Sequence, residues 1–173
     1  MNGQQKIIHD FLLVEGKSES VTEMKVYPST ERYQYSYEWI KTVGGERCNC
    51  YLQQMGNVIY LNGEITKFAG NDELTIFRLL NELNGISHYG SFAIFGDNEK
   101  TVVVEQSHFC DGHIYSDRMI AEFAWSLYGR LFEYLHSANS IFEMNIPVLE
   151  SVNRAREISK IIRSGGTTAV TWQ

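Results

Sequence analysis

The segment from His108 to His113 holds the residues best suited to chemistry, two imidazoles around a thiol. Imidazole nitrogen and thiolate sulfur bind Zn²⁺, and alternate residues of a strand point to one face. The segment offers His108, Cys110 and His113, and Cys48 and Cys50, also two positions apart, could complete a four-ligand set with residues of that segment. In a zinc knuckle two residues stand between paired ligands, whereas only one stands between Cys48 and Cys50, or between His108 and Cys110. Buried cysteine is also common in protein cores. The alternative is two core cysteines and a polar loop, and we assign no metal ligand.

A nucleophilic thiol is the second chemistry that these residues could support. Cys110 or Cys48 would need a base or a positive field to form a thiolate near neutral pH. The histidines that could serve are His88, His108, His113 and His136. Neither a nucleophile elbow nor a glycine-rich oxyanion loop surrounds these cysteines, and no two carboxylates have a spacing that would place them across a substrate. We therefore predict no catalytic residues and a protein that is not an enzyme.

Aromatic side chains recur at every second position from Tyr33 to Trp39 and alternate with polar residues. That period is typical of a half-buried strand, so we expect most of this stripe in the core, and any exposed part at an interface. Stacking on nucleic-acid bases is disfavoured by Glu31 and Glu38. The long helix predicted later in the chain carries a second aromatic group, which could instead pack on the final helix. The predicted partner-binding residues are Tyr35, Tyr37, Trp39, Trp125, Tyr128 and Phe132.

Composition restricts the class of protein. A chain of 173 residues with 43% hydrophobic residues is long enough for one domain with a single core. Lys plus Arg total 15 against 21 Asp plus Glu, and 15 − 21 = −6, a charge that repels phosphate backbones and argues against a nucleic-acid partner. No apolar run approaches the roughly 20 residues of a membrane span. Three cysteines without a framework spacing suit a reducing compartment, so we expect a soluble cytoplasmic protein without a cofactor.

Hydrophobic periodicity and turn residues predict an α+β domain. A first helix is followed by an antiparallel meander of three or four strands, a short helix, a hairpin, a long helix and a final helix after Pro147. Gly44, Gly45 and Gly56 supply turns between strands rather than a phosphate loop, because no helix follows them directly. The predicted segments are 3–14, 21–27, 32–42, 48–53, 58–66, a helix from Asn71 or Asp72 to about Gly85, 92–106, a helix from Ser116 and a helix from Pro147.

The passage from Leu74 to Leu131 carries a resemblance to a known family. Its features are a helix ending in Leu83 and Asn84, a strand with Phe92, a polar turn at 97–100, a strand with Glu105, and a long helix ending in aromatics and Leu. In this order it resembles the YbjN-like family, whose fold is similar to that of type III secretion chaperones. Two features depart from the family pattern: the helix after Pro147, and the segment with His108, Cys110 and His113.

The resemblance implies a non-enzymatic protein similar to small acidic chaperones that dimerise and bind polypeptides, with a regulatory role. We therefore expect a single domain over residues 1–173, with 146–173 as an accessory helix and tail. Its order is α-β-β-β-α-β-β-α plus the extra C-terminal helix, and a homodimer would bury the sheet face that the helices leave open. The expected function is a chaperone-like or regulatory adaptor that binds a polypeptide partner. The alternatives are a metal-binding protein using His108, Cys110 and His113, and a small-ligand sensor with a pocket between sheet and helix.

Overall fold

The structure, a computed structural model, describes residues 3–15, 17, 20–27, 35–85, 90–109 and 117–163. These residues form an α+β domain, which confirms the predicted fold class. Its helices are α1 (Gly3–Glu15), α2 (Glu73–Asn84), α3 (Asp117–Phe142) and α4 (Val148–Arg163). Its strands are β1 (Val21–Tyr27), β2 (Tyr35–Val43), β3 (Glu46–Met55), β4 (Val58–Ile65), β5 (Ser91–Phe95) and β6 (Thr101–Phe109).

The strands form one antiparallel sheet in the order β1-β2-β3-β4-β6-β5. Four strands therefore precede α2, and they form the meander that the sequence predicts. Gly44 and Gly45 have φ angles of 56° and 82° in the turn between β2 and β3, and Gly56 has 56° in the next turn. These left-handed conformations favour glycine and confirm the turn prediction.

The helices pack on one face of the sheet. Along β3 and β4 every second side chain is buried, and these buried side chains form one core with α3. The approach of α3 is close at Gly63, where an added Cβ would lie 2.9 Å from both methyl carbons of Leu131. Asp72, one of the two caps that the sequence allows, caps α2 by accepting a 3.0 Å hydrogen bond from the backbone N–H of Thr75.

Helix α4 packs against α2 and α3 rather than standing apart from them. Val152 and Ala155 are fully buried, and the Arg156 guanidinium donates a 2.8 Å hydrogen bond to the Glu82 carbonyl oxygen near the end of α2. Helix α4 therefore contributes side chains to the core. Whether the domain folds without segment 146–173, as an accessory segment would allow, stays a prediction. Residues 164–173 lie outside the described part of the chain. Within the described ranges, no helix combines the length and apolar character that crossing a bilayer requires.

Candidate functional site

The face of the sheet turned away from the helices is left uncovered by the described elements. Side chains on this outer face alternate with the core positions of β2, β3, β4 and β6, and they are exposed or half-buried. Since period-two alternation places successive side chains on opposite faces, none of these positions reaches the helices. No described helix or loop covers this face. We call it the outer face below.

The strand register shows which side chains are neighbours on the outer face. One end is apolar and consists of a row across three strands, Met55, Val58 and Phe109. The next row is Gln53, Tyr60 and Ser107. The central row is Glu38, Tyr51, Asn62 and Glu105, and beside it lies the row Ile40, Asn49, Glu64 and Val103. Cross-strand neighbours on one face interact directly, so these rows form a continuous surface of aromatic, amide and carboxylate groups.

Negative charge is concentrated at the centre of the outer face. The Tyr51 hydroxyl donates a 3.3 Å hydrogen bond to a Glu64 carboxylate oxygen. Burial, together with the nearby Glu64 carboxylate, raises the pKa of Tyr51 to about 12, so its hydroxyl stays protonated at neutral pH. Glu38 forms an ion pair with Lys25 at 3.6 Å, whereas no ion pair within the described residues includes Glu64 or Glu105. Two carboxylates at the centre, Glu64 and Glu105, therefore have no ion-pair partner within 4.0 Å among the described residues.

Three of the residues predicted to bind a partner meet inside the protein. Tyr37 and Trp39 face the helices and are 4% and 0% exposed. The Trp39 indole N–H donates to the Tyr128 hydroxyl at 3.0 Å, and that hydroxyl donates to Glu15 of α1 at 3.0 Å. Burial raises the pKa of Tyr128, which keeps it a hydrogen-bond donor. Tyr37 and Trp39 thus occupy the core, in agreement with the expectation that most of the aromatic stripe is core.

The other predicted partner-binding residues have different environments. Trp125 is 61% exposed on α3, while Phe132 is half-buried and stacks on His136 with ring centroids 5.6 Å apart. Tyr35 lies on β2, and its side chain is outside the described part of the structure. The structure therefore does not bring Trp125 or Phe132 together with Tyr37 and Trp39 as one surface. Partner binding by Trp125 stays a prediction.

The proposed metal ligands are only partly within the described chain. His108 stacks on Phe123 with centroids 3.5 Å apart, and burial lowers its pKa to about 4, while Cys110 and His113 lie outside the described residues. Cys50 on β3 is paired with Gly63 on β4, which is paired with Val104 on β6. Cys50 therefore lies two strands from His108 and four residues from it along the strand direction. At about 3.3 Å per residue and 4.8 Å per strand, they are more than 10 Å apart, too far to share one Zn²⁺. Among the described residues, no three His, Cys, Asp or Glu side chains form a group that could hold a metal.

Neither described cysteine is set up as a nucleophile. Cys48 and Cys50 are both 0% exposed on the core face of β3. Burial raises the pKa of Cys48 to about 12, with a further contribution from Glu46, and burial also raises the pKa of Cys50 well above its usual range. A thiol with a raised pKa is a poor source of thiolate at neutral pH.

Comparison with known proteins supports the fold. No protein-family model and no curated protein matches this sequence. Among solved structures, the chain is similar to the crystal structure of YbjN from E. coli, a proposed transcription regulator, with a TM-score of 0.51 and 14% sequence identity. The match covers 79% of this chain and 91% of that chain. The fold is YbjN-like. At this identity the likeness concerns the fold alone, and it agrees with the resemblance found in the sequence.

Proposed function

We propose that this YbjN-like protein is a regulatory adaptor that acts by binding a polypeptide on its outer face, without catalysing a reaction. The observation that carries the proposal is that the helices pack on one face of the sheet, while no described element covers the other. The likeness to a proposed transcription regulator supports a regulatory role. A cytoplasmic location, a chaperone-like activity and a homodimer stay predictions.

The side chains of the outer face suit a polypeptide better than a small molecule. Tyr51 and Tyr60 offer aromatic rings with polar tips, a combination that is enriched at protein interfaces. Gln53 is paired with Tyr60 in the register and can both donate and accept hydrogen bonds, while Asn62 is paired with Tyr51 and its Oδ1 is buried. The apolar row with Met55 and Phe109 adds hydrophobic area at one end, where their side chains are 36% and 70% exposed. The surface extends across several strands rather than converging on a cavity, as a ligand pocket would.

The charge of the outer face indicates that the partner segment is basic. An arginine or lysine bound here would pair with Glu64 or Glu105, and arginine could also stack on a tyrosine ring. The net charge of −6 would attract such a segment from a distance. The predicted homodimer is not expected to form through this face, because a second copy docked there would bring like carboxylates together. The partner is therefore a different polypeptide that carries arginine or lysine residues in the contacting segment.

In-cell photo-crosslinking tests this proposal at residue level. A photoreactive amino acid placed at Asn62, at the centre of the outer face, is expected to give a discrete protein adduct. The matched control is the same residue at Asn153, an exposed position on α4. Equal adducts at both positions, or none at Asn62, would contradict the proposal. Thermal melting of both variants shows that they are folded before the comparison is made.

A further inference from the structure

A cavity of ≈ 250 Å³ opens on the helix side of the sheet, away from the outer face. It lies where the turn between β2 and β3 and the loop after β4 meet the second half of α3. The residues that line it are Gly44, Glu46, Lys67, Phe68, Leu135 and Asn139. Because the two surfaces lie on opposite faces of the sheet, a ligand here would leave the outer face free.

Opposite charges line the cavity together. The Lys67 ammonium forms an ion pair with the Glu46 carboxylate, and the two side chains are 41% and 34% exposed. A ligand with only an anionic group would meet the Glu46 carboxylate, and a ligand with only a cationic group would meet the Lys67 ammonium. A zwitterion can satisfy both side chains at once. Asn139 adds an amide that can donate and accept hydrogen bonds.

The remaining walls are apolar and held in place. Phe68 stacks on Phe142 with centroids 5.6 Å apart, and Leu135 is 2% exposed. Phe68 has a φ of 63°, a conformation that a bulky residue rarely adopts. The Tyr134 hydroxyl donates a 3.1 Å hydrogen bond to the carbonyl oxygen of Lys67 and so fixes the loop on α3. These contacts position the ring before any ligand arrives, which lowers the entropic cost of binding.

We propose that this cavity binds a free α-amino acid with an apolar side chain. The ligand carboxylate pairs with Lys67, its ammonium pairs with Glu46, and its side chain packs on Phe68 and Leu135. The cavity is smaller than the roughly 300–1,000 Å³ of pockets for drug-sized ligands, which suits a molecule with few atoms. Binding of so small a ligand is expected to be weak, with a Kd on the order of 1 mM.

The test is an NMR titration of the ¹⁵N-labelled full chain with L-leucine. Saturable shifts are expected at the backbone amides of Gly44 and Phe68 and at the Asn139 side-chain amide. N-acetyl-L-leucine lacks the ammonium and L-leucinamide lacks the carboxylate, so each should bind at least about tenfold more weakly if both charges are recognised. Shifts that do not saturate, or equal binding of L-leucine and the two derivatives, would overturn the proposal.

A pair of lysine variants tests the site itself. Lys67→Met should weaken L-leucine binding at least about tenfold, since the carboxylate loses its cation. Lys100→Met removes a different lysine, which pairs with Glu73 at 3.1 Å outside the cavity, and should leave binding unchanged. Equal losses in both variants would contradict the assignment. If Lys67→Met does not fold, Glu46→Gln should weaken L-leucine binding at least about tenfold and leave the binding of N-acetyl-L-leucine, which has no ammonium, unchanged. An equal loss for both ligands would contradict the assignment. Failure of amino-acid binding would leave the outer-face proposal standing, because its crosslinks are measured on the opposite face.

Discussion

Gly63→Ala should destabilise the protein, because α3 packs closely on the sheet at Gly63. The added Cβ would lie 2.9 Å from both methyl carbons of Leu131 and 3.2 Å from its Cγ. Leu131 is 0% exposed, so it cannot swing into solvent to relieve the clash. Overpacking of this kind costs about 1–3 kcal/mol. Alanine also restricts the unfolded chain, which offsets about 0.4–1 kcal/mol. The expected net loss is about 1–2 kcal/mol of unfolding free energy.

Urea denaturation followed by circular dichroism measures this loss, which corresponds to a fall in Tm of about 2–8 °C for a domain of this size. Gly70→Ala is the matched control. An added Cβ at Gly70 meets nothing within 4 Å, and its backbone does not have the positive φ that would strain alanine. Its unfolding free energy should stay within about 0.5 kcal/mol of the wild type.

A double-mutant cycle isolates the clash from other effects of the substitution. Leu131→Ala alone should cost about 2–5 kcal/mol through the cavity that it leaves. In that background Gly63→Ala should be neutral or stabilising, because its methyl group enters the freed space. The coupling energy between the two sites is then about 1–2 kcal/mol. An equal cost of Gly63→Ala in both backgrounds would refute the packing of α3 on β4 that places the helices on one face.

Three further substitutions probe local interactions. Asn84→Ala removes two hydrogen bonds with the Phe92 backbone, at 2.7 and 2.9 Å, and should cost about 1–3 kcal/mol in urea denaturation. Asp72→Ala removes the cap of α2 and should cost about 1 kcal/mol by the same measurement. Burial lowers the pKa of His108 from 6.5 to about 4 in the folded protein. Because the unfolded chain then binds a proton more tightly than the folded chain, the unfolding free energy falls as the pH drops from about 6.5 towards 4. In thermal melts at pH 7 and 5, His108→Gln should lose less stability on acidification than the wild type.

Each of these expectations has an outcome that contradicts it. Asn81→Ala, at an exposed position of α2, is the control for Asn84→Ala, and equal losses in the two variants would show that the bonds to β5 contribute nothing. No loss in Asp72→Ala would mean that the helix start does not need this carboxylate. Equal pH dependence of the wild type and His108→Gln would show that His108 is not held neutral by burial.

The local parts of the fold could be predicted because they depend on neighbouring residues. The glycines of the two turns, the Asp72 cap and the alternation from Cys48 to Gln53 each follow from backbone or burial preferences within a few residues. The position of β6 between β4 and β5 does not follow from such local preferences, because it depends on pairing between distant segments. The irregular pairing of β1 with β2, near Glu23 with its φ of 55°, also has no signal in the pattern.

The candidate site could be predicted only in part for the same reason. The polar residues Asn49, Tyr51 and Gln53 are visible in the sequence as the polar half of an alternating strand. Their neighbours on the outer face follow from the strand register, which the sequence leaves open. The hydrogen bonds that hold Trp39 to Tyr128 and Tyr128 to Glu15 span 89 and 113 residues, so sequence spacing could not reveal that these side chains meet.

Charge reversal beside a crosslinker at Asn62 tests whether a basic polypeptide binds the outer face. Glu64→Lys and Glu105→Lys would replace with cations the two outer-face carboxylates that have no ion-pair partner among the described residues. If a basic polypeptide binds there, the adduct at Asn62 disappears while the protein still melts as a folded domain. The control Glu157→Lys, on an exposed position of α4, should leave the adduct unchanged. An adduct that persists after both reversals on the outer face would contradict the binding of a basic polypeptide there.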